Sequence, residues 1–269
     1  MIKATLGITK EPFCEQHPVL LEQQQGIVNM LTIHANAGGG LSVIIGQPGV
    51  GKSVIREHIE QLDQQRDISV VSCSRTLHTY LNLLKQLAES FKLDVSSTVL
   101  EKALIEAAFK QAGERKTLYI IIDEAHLLDT QTLRKLRLLF DRFPRRHNLI
   151  LLGQPGLLHS LSLQVNQDIK SRVTYSATLL PLNDEALTAY IYRELDSVNL
   201  GQNTYNEAAI ELILRSAEGN LRLCSNLCRG SLIDACSHSQ KTVTTHHVNA
   251  ILVQPHWRSH DQLINNQVA

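Results

Sequence analysis

The stretch LSVIIGQPGVGKSVIREHIEQL, residues 41–62, limits the possible folds of this chain more than any other. An apolar run ends in a glycine-rich loop, and the loop ends in Lys52 and Ser53. Gly46, Gln47, Pro48, Gly49, Val50, Gly51, Lys52 and Ser53 spell the pattern G-x-x-x-x-G-K-[ST]. The backbone N–H groups of such a loop wrap a phosphate chain, and its glycines let the backbone come close. The helix that follows, from Val54 on, turns its positive dipole end toward the anion. Lys52 is placed to reach the β- and γ-phosphates, and the Ser53 hydroxyl to bind Mg²⁺. Leu41 to Ile45 reads as a buried strand, and Val54, Ile55, Ile59 and Leu62 have helical spacing. The expected ligands are ATP and Mg²⁺.

At 269 residues the chain is long enough for one large domain, or one domain with a small appendage. Its 26 basic and 26 acidic side chains cancel, so only a local basic patch could argue for nucleic acid. No apolar run approaches a membrane span, and the opening MIKATLGITK lacks an apolar signal core, so a cytoplasmic protein is expected. Five scattered cysteines fit reduced thiols. Cys224 and Cys228 are helix neighbours with no second pair at metal-ligand spacing, and they read as packing residues.

Residues 1–40 form a lead-in segment, with a helix over 20–35 and a flexible joint at Gly38-Gly39-Gly40. Strands are expected at 68–72, 118–122, 149–153 and 173–180, and helices at 76–91, 97–112 and 130–143. The alternation predicts an α/β domain over 41–181, a parallel sheet sandwiched by helices. After Pro181 the pattern is helix only: 184–198, 205–217, 221–237 and 246–253. That predicts a small all-helical domain over 182–253, followed by a polar tail over 254–269.

A second signature, LYIIIDEAH, delivers Asp123 and Glu124 at a strand's carboxyl end, about 70 residues after the loop. Asp123 can share the Mg²⁺ shell with Ser53, and Glu124 can take a proton from an attacking water. One carboxylate suits binding; the pair suits hydrolysis.

The loop, IIIDEAHLLDTQTLRKLRLL, LILLGQPGLLHSL and AEGNLRLCSNLCRGSLIDA together resemble AAA+ ATPases, and more narrowly the ExeA/GspA-type group. That group is similar to the helper ATPases of DNA transposition, the MuB/TnsC/TniB-like proteins of phage Mu and Tn-type elements. The resemblance spans about residues 10–253 and implies the AAA+ fold with a helical lid. By the same resemblance Gln154 takes the sensor-one position on the γ-phosphate or the water, and its amide can hydrogen-bond there. Arg172 resembles an arginine finger given to the neighbouring subunit's nucleotide, and Arg222 a lid arginine on the γ-phosphate. Fingers given in trans imply a ring or helical filament.

A basic cluster of Arg134, Lys135, Arg137, Arg142, Arg145, Arg146 and His147 lies on and after one helix. It can track duplex phosphates or simply be a solvated helix face. Arg75 is a weaker candidate. Few aromatics argue against base stacking. His246, His247, His256 and His260 match no closed zinc site and read as a solvated tail. Trp257 reads as a partner anchor or as packing on the lid.

Two roles fit the resemblance. A transposition regulator would assemble on double-stranded DNA with ATP, recruit a transposase or other mobile-element protein, and disassemble on hydrolysis. A secretion-assembly ATPase of the ExeA/GspA type would carry a transmembrane segment and a periplasmic part, which this sequence does not show, so transposition is expected. A switch that works by binding alone fits less well with an intact Asp123-Glu124 pair.

Overall fold

A computed structural model describes residues 2–14, 19–73, 79–254 and 257. It divides the chain into a sheet unit, His17–Leu180, and a helical unit that joins Met1–Gln16 to Pro181–Ala269.

The sheet unit begins with α2 (Glu22–Asn36), β1 (Gly40–Gly46) and α3 (Lys52–Gln61), preceded in the chain by the short α1 (Ile2–Leu6) of the helical unit. Then come β2 (Ile68–Cys73), α4 (Tyr80–Ser90), α5 (Leu100–Gly113) and β3 (Thr117–Ile122). After α6 (Thr130–Phe140) and β4 (His147–Gly153), two short helices, α7 (Gly156–Ser162) and α8 (Gln167–Lys170), lead to β5 (Val173–Leu179). The five strands lie in the order β2-β3-β4-β1-β5, and all pairings are parallel.

Parallel strands covered on both faces need apolar residues on both, which explains the near-continuous runs. Val43 and Ile45, Ile120 and Ile122, and Leu149 and Leu151 point into one core with α4, α5, α6 and α7. Their alternates Ile44, Ile121, Ile150 and Leu152 point into the other core with α2 and α3. The sheet is thus the middle of three layers, as the alternation of elements predicts.

The helical unit carries α9 (Asp184–Asp196), α10 (Glu207–Ala217), α11 (Leu221–Ser237) and α12 (Thr245–Leu252). Asn183, Asn206 and Asn220 cap three of them by accepting the N–H of the third residue on. Leu187, Ile191, Leu195, Ile213, Leu227 and Leu232 fill its core.

Residues 1–40 are not one lead-in segment. Residues 2–14 belong to the helical unit, where Phe13 packs edge-on to Tyr190 and Tyr205 at 6.2 and 6.3 Å. The Phe13 N–H donates to Glu194 Oε2 at 3.1 Å. Residues 19–40 belong to the sheet unit. His247 is buried on α12 and Trp257 packs on the helical core, so neither belongs to a solvated tail.

Candidate nucleotide site at the carboxyl ends of the strands

The phosphate-binding pattern sits where β1 turns into α3. Gly49 and Gly51 take φ of 83° and 104°, left-handed values that disfavour other residues. Gly46 admits no side chain, because a Cβ there would lie 2.7 Å from Val50 Cγ2. Val50 is buried and pins the loop from inside, whereas Gln47 and Pro48 are exposed. Lys52 opens α3 and is buried; its ammonium donates to the carbonyls of Gly46 at 2.7 Å and Gln47 at 2.9 Å. Ser53 and Val54 follow in the first turn of α3. These residues fit a nucleotide. The loop has the backbone freedom for close approach, a helix N-terminus behind it, and a cation held over its own carbonyls.

Strand register brings the other expected residues alongside. Ile45 pairs with Gly153, so Gly46 and Gln154 end neighbouring strands. Ile122 pairs with Leu151 across β3 and β4, which sets Asp123 on the far side of Gln154 from the loop. A Cβ at Gly153 would fit tightly, 3.0 Å from Leu157 Cδ2 and 3.3 Å from His126 N. That tight fit holds the turn after β3 against the end of β4.

Asp123 is 4% exposed, and burial pushes its carboxyl above the usual carboxylate range. Two contacts oppose that shift: the Glu124 N–H donates to Oδ1 at 2.8 Å, and the Arg56 guanidinium reaches Oδ2 at 3.0 Å. Arg56 also meets Glu57 at 3.3 Å and Glu60 at 3.4 Å. Glu124 follows at φ 51°, a left-handed backbone that costs roughly 1–2 kcal/mol outside glycine. Its half-exposed carboxylate lies 3.3 Å from His126 Nδ1. Such strain clusters where a side chain must point somewhere particular. The oxygen-rich set of Ser53 and Asp123 suits a hard cation such as Mg²⁺.

Sequence reasoning missed Arg56. Its position on α3 was visible, but its partner is 67 residues away and only the fold joins them.

Arg172 is at the other end of the sheet. It precedes β5, whose first residue Val173 pairs with Leu41 and whose last, Leu179, pairs with Gly46. At a rise of about 3.3 Å per residue, Arg172 stands roughly 20 Å from its own loop. It donates to Asp141 Oδ1 at 3.2 Å and to the Asp168 carbonyl at 2.8 Å. Arg137 joins the same network, 3.2 Å from Asp141 and 3.3 Å from Asp168. An apolar cavity of about 450 Å³ adjoins this network, lined by Leu133, Leu136, Phe140, Leu149 and Leu151. Arg222 is exposed in the first turn of α11, in the helical unit.

The basic cluster divides. Arg134, Lys135, Arg142, Arg145 and Arg146 are exposed, with Lys135 also 5.4 Å over the Tyr80 ring. Arg137 is tied into the acidic network, and His147 packs against Phe140 and Phe143, so neither is part of a free basic face. Arg75 lies outside the described residues.

The parallel sheet, the loop and the helical part after it make the AAA+ P-loop α/β fold. Residues 35–161 match the family model described as an AAA domain. General secretion pathway protein A of Aeromonas hydrophila is 26% identical over 274 residues, covering 94% of this chain and 49% of that protein. The chain therefore spans about half the length of this curated relative. Among solved structures, the Aeropyrum pernix ORC2 protein superposes with a TM-score of 0.70 at 14% identity, covering 88% of this chain and 69% of that one. Drosophila ORC bound to DNA gives a TM-score of 0.67 at 19% identity, covering 98% and 67%. At these identities the structural likeness establishes the fold. Among the described residues no helix is long and apolar enough to cross a membrane.

Proposed function

We propose that this chain is a cytoplasmic ATP hydrolase that assembles with copies of itself on duplex DNA. In this reading it acts in DNA transposition, selecting target sites and recruiting a transposase. The observation that carries the reading is the row formed by the Gly46–Ser53 loop, Gln154 and the Asp123-Glu124 pair along three adjacent strand ends.

In this reading the loop amides and Lys52 bind the phosphates, and Lys52 leaves the carbonyls of Gly46 and Gln47 to do so. Ser53 and Asp123 hold Mg²⁺, which supplies charge neutralisation on the β- and γ-phosphates. Glu124 takes the proton of the attacking water, and the Gln154 amide orients that water or the γ-phosphate. Arg172, roughly 20 Å from its own loop, serves the nucleotide of a neighbouring subunit instead. Arg222 is the helical lid's contribution to the γ-phosphate. ATP thereby favours assembly, and hydrolysis loosens it.

Support for DNA comes from exposed Arg134, Lys135, Arg145 and Arg146, and from the DNA-bound ORC among the fold's relatives. Phosphate contacts by such side chains bind the backbone without reading sequence. A second reading, a secretion-assembly ATPase, is favoured by the likeness to General secretion pathway protein A.

The deciding measurement is duplex-DNA binding by the Glu124→Gln protein, with ATP and with ADP, across a salt series. ATP-dependent binding with a steep salt slope supports the DNA-loaded assembly. Failure to bind at low salt in either nucleotide turns the assignment to secretion assembly.

A further inference from the structure

At the end of α11, Asp234 and His238 stand four residues apart and share one helix face. α12 returns His247 to the same place; its ring centroid is 6.3 Å from that of His238. One ligand atom from each of Asp234, His238 and His247 lies within 4.8 Å of the others. His247 is 1% exposed. Asp234 Oδ2 is buried with no hydrogen-bond partner; the His238 Nδ1, at 3.8 Å, is too far to donate to it. A buried carboxylate oxygen without a hydrogen-bond partner is costly and calls for a reason.

We propose that Asp234, His238 and His247 form a binding site for a divalent d-block cation, of which zinc is the type, clamping the end of α11 to the start of α12. Two imidazoles and one carboxylate are a donor set that zinc accepts, with the fourth position left to water. The His238 ring is already oriented from behind. His238 Nδ1 donates to the Asp234 carbonyl at 2.9 Å, which leaves the lone pair on Nε2. His247 Nδ1 accepts the Thr244 N–H at 3.0 Å, as part of the cap of α12, and lies 3.2 Å from Thr244 Oγ1. A cation on His247 Nε2 takes the other tautomer, with the ring proton on Nδ1 donated to Thr244 Oγ1 and the Thr244 N–H released from Nδ1. This arrangement of a ligating imidazole bonded behind to a backbone or hydroxyl oxygen is the usual support of a metal-bound histidine. His246 is next in the chain, and its ring is 5.8 Å from that of His247. It adds no third imidazole to the cluster of ligand atoms. The cation ties two helices across the turn at 239–244, so its effect is on the stability of the helical unit.

The test uses the full chain, free of nucleotide and Mg²⁺. Co²⁺ is titrated by visible absorption, and Zn²⁺ by thermal melting. One equivalent of Co²⁺ should give the intense visible bands of a four-coordinate site, without the near-ultraviolet charge transfer that thiolates from Cys224, Cys228 or Cys236 would add. Zn²⁺ should raise the melting temperature in proportion to saturation. His238→Gln, at an exposed position, should fold normally and weaken binding on the order of 100-fold. Asp234→Asn should do the same, which guards against a folding defect in either variant. Unchanged binding in both variants would place the cation elsewhere, on the histidines at 256 and 260 or on cysteine, and overturn the proposal. So would the lack of any Co²⁺ spectrum or Zn²⁺ effect in the parent protein.

Discussion

At their carboxyl ends the five strands present glycines, backbone amides and the partly buried Asp123–Arg56 pair. At their amino ends the same strands border an apolar cavity, rimmed by Arg137, Asp141 and Arg172. The first end adopts unusual backbone: Gly49, Gly51 and Glu124 all have positive φ. The second also has positive φ, at Gly38, Gly39, Gly40 and Arg146, but what it turns toward its cavity is apolar side chains and ion pairs. The first end is therefore shaped to receive something against its main chain. The second offers an arginine that ion pairs hold in place while leaving it 41% exposed. In the proposed reading the first end would receive a nucleotide and the second would deliver Arg172 to the nucleotide of an adjacent copy.

The largest effect should come from the delivering end. Arg172→Ala is expected to lower the ATPase rate by about 10³–10⁵-fold at concentrations where the protein is assembled. Parent-level turnover in that variant breaks the comparison. At the receiving end, Glu124→Gln should cut turnover by roughly 10²–10⁴-fold while a fluorescent ATP analogue still binds. Turnover like the parent's would remove Glu124 from its role as base.

Ile121→Ala, in the fully buried middle of the sheet between the two ends, should cost about 2–5 kcal/mol in urea unfolding. A much smaller loss would mean the two ends are not held by one rigid core. If Asp123 holds Mg²⁺ as proposed, Arg56→Ala should lower the Mg²⁺ concentration needed for ATP hydrolysis severalfold, because the guanidinium occupies Asp123 Oδ2. A Mg²⁺ titration that does not move would separate Arg56 from the nucleotide site.

The smallest effect is a pH dependence at the amino ends. Burial pushes the His147 imidazole below its usual range, against the opposing pull of the Pro144 carbonyl, 2.9 Å from Nδ1, and of Asp141. The unfolded chain then binds more protons than the fold below about pH 6.5. His147 thus contributes fully above that pH, and stability falls as pH drops toward the depressed value. His147→Gln should flatten the fall in urea midpoint between about pH 7 and pH 5. An equal fall in both proteins would assign the acid sensitivity to another group.

How readable each end was follows from where its residues lie in the chain. The nucleotide loop is eight consecutive residues, 46–53, between a strand and a helix of clear period, so its place needed no tertiary information. The strands were readable because burial on both faces forces long apolar runs such as LYIII. Arg56–Asp123 and Arg172–Asp141 were not readable, since each joins residues 31 or more apart through the fold. The same holds for His247. Beside His246 and ahead of a polar tail it looks like a solvated histidine, yet the return of α12 onto α11 buries it. The lead-in segment misled because Ile2, Ile8 and Phe13 are too few to show a period, and their partners lie beyond residue 181.

That last arrangement bears on how the protein is made. Residues 2–14 find their partners in α9, α10 and α11, with the whole sheet unit encoded between them. Synthesis at about 5–20 residues per second puts roughly ten to thirty seconds between the two halves of one core. During that interval Phe13 and its neighbours are waiting for a surface that does not yet exist. The sheet unit has every strand it needs before then. On the ribosome the nucleotide fold can close first, and the helical unit is completed only when the later helices come back for the earliest residues.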